Sequence, residues 1–199
     1  MTLYYRLGSN LYVNVTNLCS CDCVFCIKGS TDGVGSADSL WLEREPTVWE
    51  LKESFDRTVE QDEEPINEVV FCGFGEPLER AEVVCELTGY IKSKCKYPVR
   101  LNTNGLVKLV NPDFDIKKLS VFDTISVSLN ADTEEEYLRV TRPRFGIESF
   151  GIMLDFARYV QSFTKVQFTI VETLEKERQE KCRHIADQMG IPLIIRGMM

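Results

Sequence analysis

The sequence predicts an α/β fold in which six mostly parallel strands alternate with crossover helices. Two observations lead to this fold class. Short runs rich in β-branched residues alternate along the chain with amphipathic segments of helical length. The 199 residues are 44% hydrophobic and 10% aromatic, which supplies enough apolar surface for one sizeable core. We therefore expect a single domain over residues 1–199.

Each element follows from its local pattern. Strands are predicted for LYVNVT (11–16), EVVFC (68–72), VRLNT (99–103), TISVSL (124–129), VQFTIV (166–171) and PLIIR (192–196). Helices are predicted at about 47–61, 79–95, 113–119, 133–139, 147–162 and 175–189. Thr47 is expected to cap the first helix, and Gly190 to end the last. Such strands form either an open doubly wound sheet or an incomplete α/β barrel, and composition does not choose between them.

Unusual residues follow the carboxyl ends of the predicted strands. NLCSCDCVFC follows the first strand, GFGEP the second, NTNG spans the end of the third and SLNA the end of the fourth. In both architectures the loops at this edge converge on the active site. The long irregular segment 28–46 comes directly after the cysteines, and a loop of this length in a compact domain is typically functional.

Charge and targeting signals restrict the possible partners and compartment. The chain has 23 basic and 31 acidic residues and a net charge of −8, which disfavours binding to nucleic acid. It has neither an apolar stretch of about eighteen residues nor a signal peptide, so we expect a cytoplasmic protein without a membrane anchor.

Four of the eight cysteines lie within TNLCSCDCVFC (16–26). A structural zinc site usually combines two separated pairs, and a thioredoxin-like redox pair has no further support here. A third interpretation takes Cys19, Cys23 and Cys26 as a CxxxCxxC triplet that binds a [4Fe-4S] cluster through three of its irons, with Cys21 as a bystander. The dispersed cysteines are expected to be small buried hydrophobes or structural thiols rather than a disulfide framework. They are Cys72, Cys85, Cys95 and Cys182.

The CxxxCxxC triplet, with the aromatic Phe25 before its last cysteine, resembles the signature of the radical S-adenosylmethionine superfamily. CGFGEP resembles the superfamily's GGEP-type segment, with Phe74 in place of the usual second glycine. Within the superfamily, NLYVNVTNLCS, DGVG, WLE, EPTV, VVFCGFGEP, RLNTNGL and SVSLNA are similar to the short TatD-associated members. The resemblance implies a partial (β/α)6 barrel, a [4Fe-4S] cluster and S-adenosylmethionine.

The resemblance also implies positions for the cofactor. Beside Phe25, the segment Gly73, Phe74, Gly75 and Glu76 would hold the methionine end. Polar residues after the third and fourth strands would bind the ribose and carboxylate; they are Asn102, Thr103, Asn104, Ser126, Ser128 and Asn130. At the ends of the last two strands, Val171, Arg196 and Met198 would complete the cofactor site, with Val171 and Met198 lining the adenine. A plainer interpretation treats the glycines and asparagines as turn residues.

The implied activity is that of an oxidoreductase in which the reduced cluster cleaves S-adenosylmethionine to a 5′-deoxyadenosyl radical that removes hydrogen from a substrate. The expected substrate is a small metabolite or nucleoside-like molecule, and the electron donor a flavodoxin or ferredoxin. Two alternatives stay open: an activase that places a radical on a partner protein, and a zinc-stabilised interaction module. Arg142, Arg144 and Arg196 could face an anionic substrate, although exposed arginines are common.

Overall fold

The computed structural model describes residues 1–197, which form one curled sheet of seven strands covered by helices. The strands are β1 (Tyr4–Leu7), β2 (Asn10–Val13), β3 (Glu68–Phe71), β4 (Val99–Thr103), β5 (Thr124–Ser128), β6 (Lys165–Val171) and β7 (Leu193–Arg196). Neighbouring strands follow the chain order, and β2 to β7 are all parallel. Because the order never reverses, the sheet is a partial barrel and not a doubly wound sheet.

Helices connect the parallel strands. The α-helices are α1 (Val48–Gln61), α2 (Ala81–Lys94), α3 (Val107–Val110), α4 (Glu134–Thr141), α5 (Ser149–Val160) and α6 (Lys176–Met189). Short 3₁₀ helices lie at Ile27–Gly29, Pro77–Arg80 and Ile116–Val121. The side chain of Thr47 accepts a hydrogen bond from the backbone N–H of Glu50, and that of Glu50 accepts one from the N–H of Thr47. Gly190, with φ of +64°, ends α6.

Alternate residues of each strand face opposite sides of the sheet. On β4, Val99 and Leu101 are fully buried against the helices, whereas Arg100 and Asn102 are half-buried on the inner, concave face. The neighbouring strands continue this pattern, since Asn102 pairs in register with Ser126 and Ser126 with Gln167. The apolar core therefore lies between sheet and helices, while the concave face is partly polar.

The predicted elements are confirmed except in two places. The sequence prediction missed β1, which pairs antiparallel with β2 through a two-residue turn. Gly8 has φ of +58° at the first turn position, a conformation that favours glycine. The α-helix predicted at 113–119 is wrong, because this region enters the 3₁₀ helix Ile116–Val121, and the short α3 ends before it at Val110. Within residues 1–197, no helix is long and apolar enough to cross a membrane.

Candidate functional site

The four clustered cysteines lie in one loop, residues 19–26, directly beyond the carboxyl end of β2. The thiols of Cys19, Cys21, Cys23 and Cys26 all line a single cavity of about 270 Å³. Cys19, Cys23 and Cys26 are half-buried, whereas Cys21 is only 5% exposed. The loop folds tightly, since the N–H of Cys26 donates to the carbonyl of Cys23 at 3.1 Å and that of Cys21 to the sulfur of Cys19 at 3.4 Å.

Residues 140–144, which we call the strap, hold the cysteine loop from one side. Cys21 and Pro143 form an isolated antiparallel bridge. Backbone hydrogen bonds run from Asp22 N–H to Thr141 O (3.0 Å), from Val24 N–H to Val140 O (2.9 Å) and from Arg144 N–H to Ser20 O (2.9 Å). Because these bonds surround the cysteines, the strap fixes the backbone from which the thiols project.

The arginines of the strap form ion pairs beside the loop. Arg142 lies 4.0 Å from Asp22, and Arg144 lies 3.6 Å from Glu79. Neither arginine lines the cavity of the cysteines. The side chains of Arg142 and Arg144 therefore form ion pairs outside the cavity and do not contribute to its lining.

The GFGEP segment, residues 73–77, packs so closely against the chain just before the cysteine loop that its glycines have no room for a Cβ. A Cβ on Gly75 would lie 2.3 Å from the carbonyl oxygen of Thr16 and 2.6 Å from that of Leu18. The next N–H, of Glu76, donates to the carbonyl of Leu18 at 2.8 Å. Gly73 is similarly confined, since its Cβ would lie 2.2 Å from the side-chain oxygen of Asn14. Glycine at both positions allows the two segments to approach this closely.

Phe74 attaches the long irregular segment 28–46 to the site. Its ring is buried in a small second core with Tyr5, Val34, Ala37 and Leu40. Trp41 contacts it edge-on, with ring centroids 5.1 Å apart, and the indole N–H of Trp41 donates to Asp32 at 3.1 Å. The aromatic side chain at this position thus joins the segment to the site by packing.

Glu76 is a buried carboxylate with all-protein partners. One oxygen accepts hydrogen bonds from Leu78 N–H (3.0 Å) and the Thr103 hydroxyl (2.7 Å), and the other accepts from Asn104 N–H (2.7 Å). Burial nevertheless raises the pKa of Glu76 from 4.5 to about 7. The folded chain therefore binds the proton of the Glu76 carboxyl more tightly than the unfolded chain does. The free energy of unfolding gains from this protonation in full below about pH 4.5, and the gain is lost as the pH rises through about 7.

The thiols differ in how readily they ionise. Burial raises the pKa of Cys19 to about 12 and, to a smaller extent, that of Cys26. A hydrogen bond between the Cys21 and Cys23 side chains lowers the pKa of Cys23 and raises that of Cys21. The thiolate is the metal-binding form, so bound iron would have to stabilise the ionised form of the buried thiols against these raised pKa values.

Polar residues of the later strands form the opposite wall of the cavity. Ser128, Asn130, Val171 and Arg196 line it. Asn130 adopts the left-handed conformation with φ of +54°, which asparagine tolerates. Its side-chain oxygen is buried and has no hydrogen-bond partner within residues 1–197, which leaves an unsatisfied acceptor beside the cavity.

Most of the residues predicted for the site meet in this cavity. Those that line it are Cys19, Cys23, Phe25, Cys26, Gly73, Phe74, Gly75, Glu76, Asn102, Thr103, Asn104, Ser128, Asn130, Val171 and Arg196. Ser126 does not line it: this residue lies one layer deeper and accepts a hydrogen bond from Gln167 at 3.2 Å. Met198 lies outside the described residues.

Sequence reasoning missed several lining residues. They are Cys21, Ile27, Ser30, Cys72, Pro77, Tyr137, Thr141 and Gly197. Tyr137 and Thr141 lie four residues apart on α4, and their spacing predicts one helical face without indicating that this face meets the cysteines.

A second cavity of about 470 Å³ adjoins the first and shares Phe25, Asn130 and Val171 with it. Three of its charged side chains are paired: Arg178 contacts Asp132 at 2.5 Å, and Arg139 contacts Glu136 at 2.6 Å. Both arginines that line this cavity therefore already have carboxylate partners.

Comparison with known protein families identifies the family of this chain. The family model described as Radical SAM superfamily matches residues 13–171. The chain belongs to the radical SAM superfamily. Proteins of the radical SAM superfamily are enzymes that use a [4Fe-4S] cluster and S-adenosylmethionine, and the partial barrel predicted from the resemblance is confirmed.

Two solved radical SAM structures have the same fold. A structure of TYW1 with a lysine-pyruvate adduct bound has a TM-score of 0.64 and 14% identity, and it covers 96% of this chain and 65% of that one. A structure of anSMEcpe with bound AdoMet has a TM-score of 0.64 and 17% identity, with 94% and 50% coverage. The chain thus spans between half and about two thirds of these proteins.

One curated relative carries a different name. The protein named GTPase Obg, from Brachyspira hyodysenteriae (strain ATCC 49526 / WA1), is 26% identical over 180 residues, which are 88% of this chain and 25% of that protein. The chain contains no GxxxxGK[ST] motif, so it has no sequence signature for GTP binding of the P-loop type.

Proposed function

We propose that this chain, as one domain over residues 1–199, is an enzyme that uses S-adenosylmethionine and a [4Fe-4S] cluster to remove hydrogen from a small substrate. One observation carries the proposal. The CxxxCxxC thiols, the GFGEP segment and the polar strand ends line one cavity in a chain of the radical SAM superfamily. The segments come from four distant parts of the sequence, and the parallel sheet brings their carboxyl ends together.

Cys19, Cys23 and Cys26 would hold the cluster. Within residues 1–197, no three side chains of Cys, His, Asp or Glu converge closely enough to hold a single metal ion. A cluster held through three irons needs one thiolate for each iron, so its ligands stand farther apart than those of one ion. The donor set is chemically suited to iron and sulfide because thiolates are the ligands of such clusters.

The cavity wall beside the cysteines would hold the methionine end of S-adenosylmethionine. The Glu76 carboxylate positions the turn between β4 and α3 through Thr103 and Asn104, and it fixes the GFGEP segment through Leu78. Asn102, Ser128 and Asn130 would contact the sugar, with Val171 and Phe25 beside the adenine. When bound, the reduced cluster and S-adenosylmethionine supply a 5′-deoxyadenosyl radical. The AdoMet-bound anSMEcpe structures, which share the fold, support this proposal.

Three finer assignments belong to the same proposal. The similarity of the quoted segments supports membership of the TatD-associated subgroup. The required electron would come from a flavodoxin or ferredoxin. A cytoplasmic location fits eight cysteines that are all free, because cluster ligands must stay reduced.

The partly polar cavity supports a small molecule as the substrate. A partner protein is the second candidate, supported by the anSMEcpe structure that contains bound AdoMet and a peptide. A zinc-stabilised interaction module is disfavoured, because no three possible ligands converge on a single ion within residues 1–197, and metal analysis of the purified protein tests it.

The proposal is tested by anaerobic reconstitution with iron and sulfide. Electron paramagnetic resonance of the reduced protein should give a [4Fe-4S] signal that changes when S-adenosylmethionine is added. Cys21→Ala should keep the cluster and Cys23→Ala should lose it, because Cys23 belongs to the CxxxCxxC triplet and Cys21 does not. Equal loss of iron from both variants would contradict the triplet, and zinc without a cluster would contradict the enzyme.

A further inference from the structure

The charged side chains that line the cysteine cavity differ in how many hydrogen-bond and ion-pair partners they have. Among the described residues that line it, Glu76 is the acidic one and Arg196 the basic one. Glu76 accepts three hydrogen bonds from neighbouring protein groups. No ion pair involving Arg196 occurs among residues 1–197. Within the described residues, Arg196 is therefore a cation without a counterion at this cavity.

The guanidinium of Arg196 makes little use of its donors. Its Nη2 donates to the Ser128 hydroxyl at 3.4 Å, a long contact, and its Nε is buried without a partner in the described part of the chain. Arg100, the arginine deeper on the same concave face, is fully engaged instead: it pairs with Glu68 at 2.8 Å and donates to Asn102 at 2.8 Å. A buried charged donor without an acceptor is unfavourable, which is typical of a site that a ligand completes.

Arg196 stands on the wall away from the GFGEP segment. GFGEP follows β3, whereas Arg196 ends β7, and three strands lie between them. At the usual strand spacing this is about 19 Å measured along the curled sheet. The side chain of Arg196 reaches across β6, where Val171 is its register partner, to Ser128 on β5. The guanidinium therefore lies over the concave face, opposite the segment proposed to hold the methionine end.

We propose that Arg196 binds an anionic group, a carboxylate or phosphate, of the substrate. This inference rests on the function proposed above. The planar guanidinium offers the N–H groups of Nη1 and Nη2 as a fork that matches two oxygens of a carboxylate or phosphate. The Ser128 hydroxyl lies at the edge of this fork, and Asn130 lines the same wall. In a chain of net charge −8, one unpaired cation gives the cavity local selectivity for an anion.

The test uses the reconstituted protein loaded with S-adenosylmethionine. Acetate and inorganic phosphate are the probes, and their binding is followed by NMR titration, while the affinity for S-adenosylmethionine is followed by calorimetry. Arg196→Gln is compared with Arg158→Gln, a matched control in which an exposed arginine on α5 loses its pair with Asp155. We expect the wild type and Arg158→Gln to bind at least one anion, and Arg196→Gln to bind it at least about 10-fold more weakly.

The affinity for S-adenosylmethionine separates two sources of a carboxylate. We expect it to stay within about 3-fold of wild type in Arg196→Gln, because the methionine carboxylate would bind at the opposite wall. A 10-fold loss would assign the guanidinium to the cofactor and overturn the proposal. It would also be overturned if the wild type bound neither anion, or if Arg196→Gln bound them as well as the wild type does.

Failure of the proposed function gives a different result. If the proposed function fails, the electron paramagnetic resonance spectrum of the wild type, recorded before any anion is added, shows no cluster signal or a signal that S-adenosylmethionine does not change. In that case the comparison of anion binding between wild type and Arg196→Gln, both without cofactor, still decides whether Arg196 forms an anion site. Arg196→Lys, which keeps the charge but not the fork, serves as a second variant, and circular dichroism confirms that each variant is folded. We expect Arg196→Lys to bind the anion with intermediate affinity.

Discussion

Gly75→Ala should destabilise the protein and disturb the cysteine loop. The added Cβ would lie 2.3 Å from the Thr16 carbonyl oxygen and 2.6 Å from that of Leu18, whereas ordinary contacts begin at 3.4 Å. The segments must therefore separate by about 1.1 Å and 0.8 Å at these two atoms. The hydrogen bond from Glu76 N–H to Leu18 O, 2.8 Å long, would stretch to about 3.6 Å, which breaks it.

The expected cost combines two terms. Overpacking against backbone costs about 1–3 kcal/mol, and the lost hydrogen bond about 1 kcal/mol. The free energy of unfolding of the cofactor-free protein should thus fall by about 2–4 kcal/mol, measured by urea unfolding at 25 °C. Iron per chain after reconstitution should fall too, because Leu18 directly precedes Cys19.

A glycine in open space provides the control. Gly89 lies on the exposed side of α2, and a Cβ there would meet nothing within 4 Å. Gly89→Ala should raise the free energy of unfolding by about 0.5–1 kcal/mol and leave the iron content unchanged. If Gly75→Ala matched the wild type in both stability and iron content, the reasoning from close approach would be refuted.

Two further predictions concern the buried side chains of the GFGEP segment. Glu76→Gln should change the pH dependence of stability: the free energy of unfolding of wild type, relative to the variant, should fall by about 3 kcal/mol between pH 4.5 and 7, as Glu76 ionises against its raised pKa. Urea unfolding of both proteins across this range measures the difference, and a constant difference would contradict the raised pKa. Phe74→Ala should cost about 3 kcal/mol and shift the fluorescence of Trp41 to the red, because the indole loses its edge-on contact. Trp49 is 71% exposed and supplies a constant background, so unchanged emission would count against the packing of segment 28–46 on Phe74.

The sequence predicted the parallel strands well because their signal is local. A run such as VRLNT alternates residues between a buried and a half-buried face, and β4 occupies the predicted Val99–Thr103. The strand β1 was missed since YYRL is short and its pairing depends on the turn at Gly8. The 113–119 prediction failed because helical spacing over a few residues does not distinguish one α-helix from separate short turns.

The candidate site was predictable to the extent that its residues follow strand ends. Cys19, Cys23 and Cys26, together with Gly75 and Glu76, were expected from their motifs and line the cavity as predicted. Ser126 was not distinguished from Ser128, because both point to the concave face and a difference of one layer depends on where the cavity floor lies.

The sequence by itself determined the parallel α/β class, the ends of the strands and the thiols beyond the first of them, because side-chain periodicity and motif spacing are properties of neighbouring residues. Composition and periodicity did not choose between an open sheet and the partial barrel that the family resemblance implied, and the strand order decided it. The tertiary structure alone decided the strap over the cysteine loop and the lack, within residues 1–197, of a counterion for Arg196. Each of these depends on distances between segments far apart in the chain. Such distances are set by how the sheet curls and how its loops pack, which local patterns do not encode.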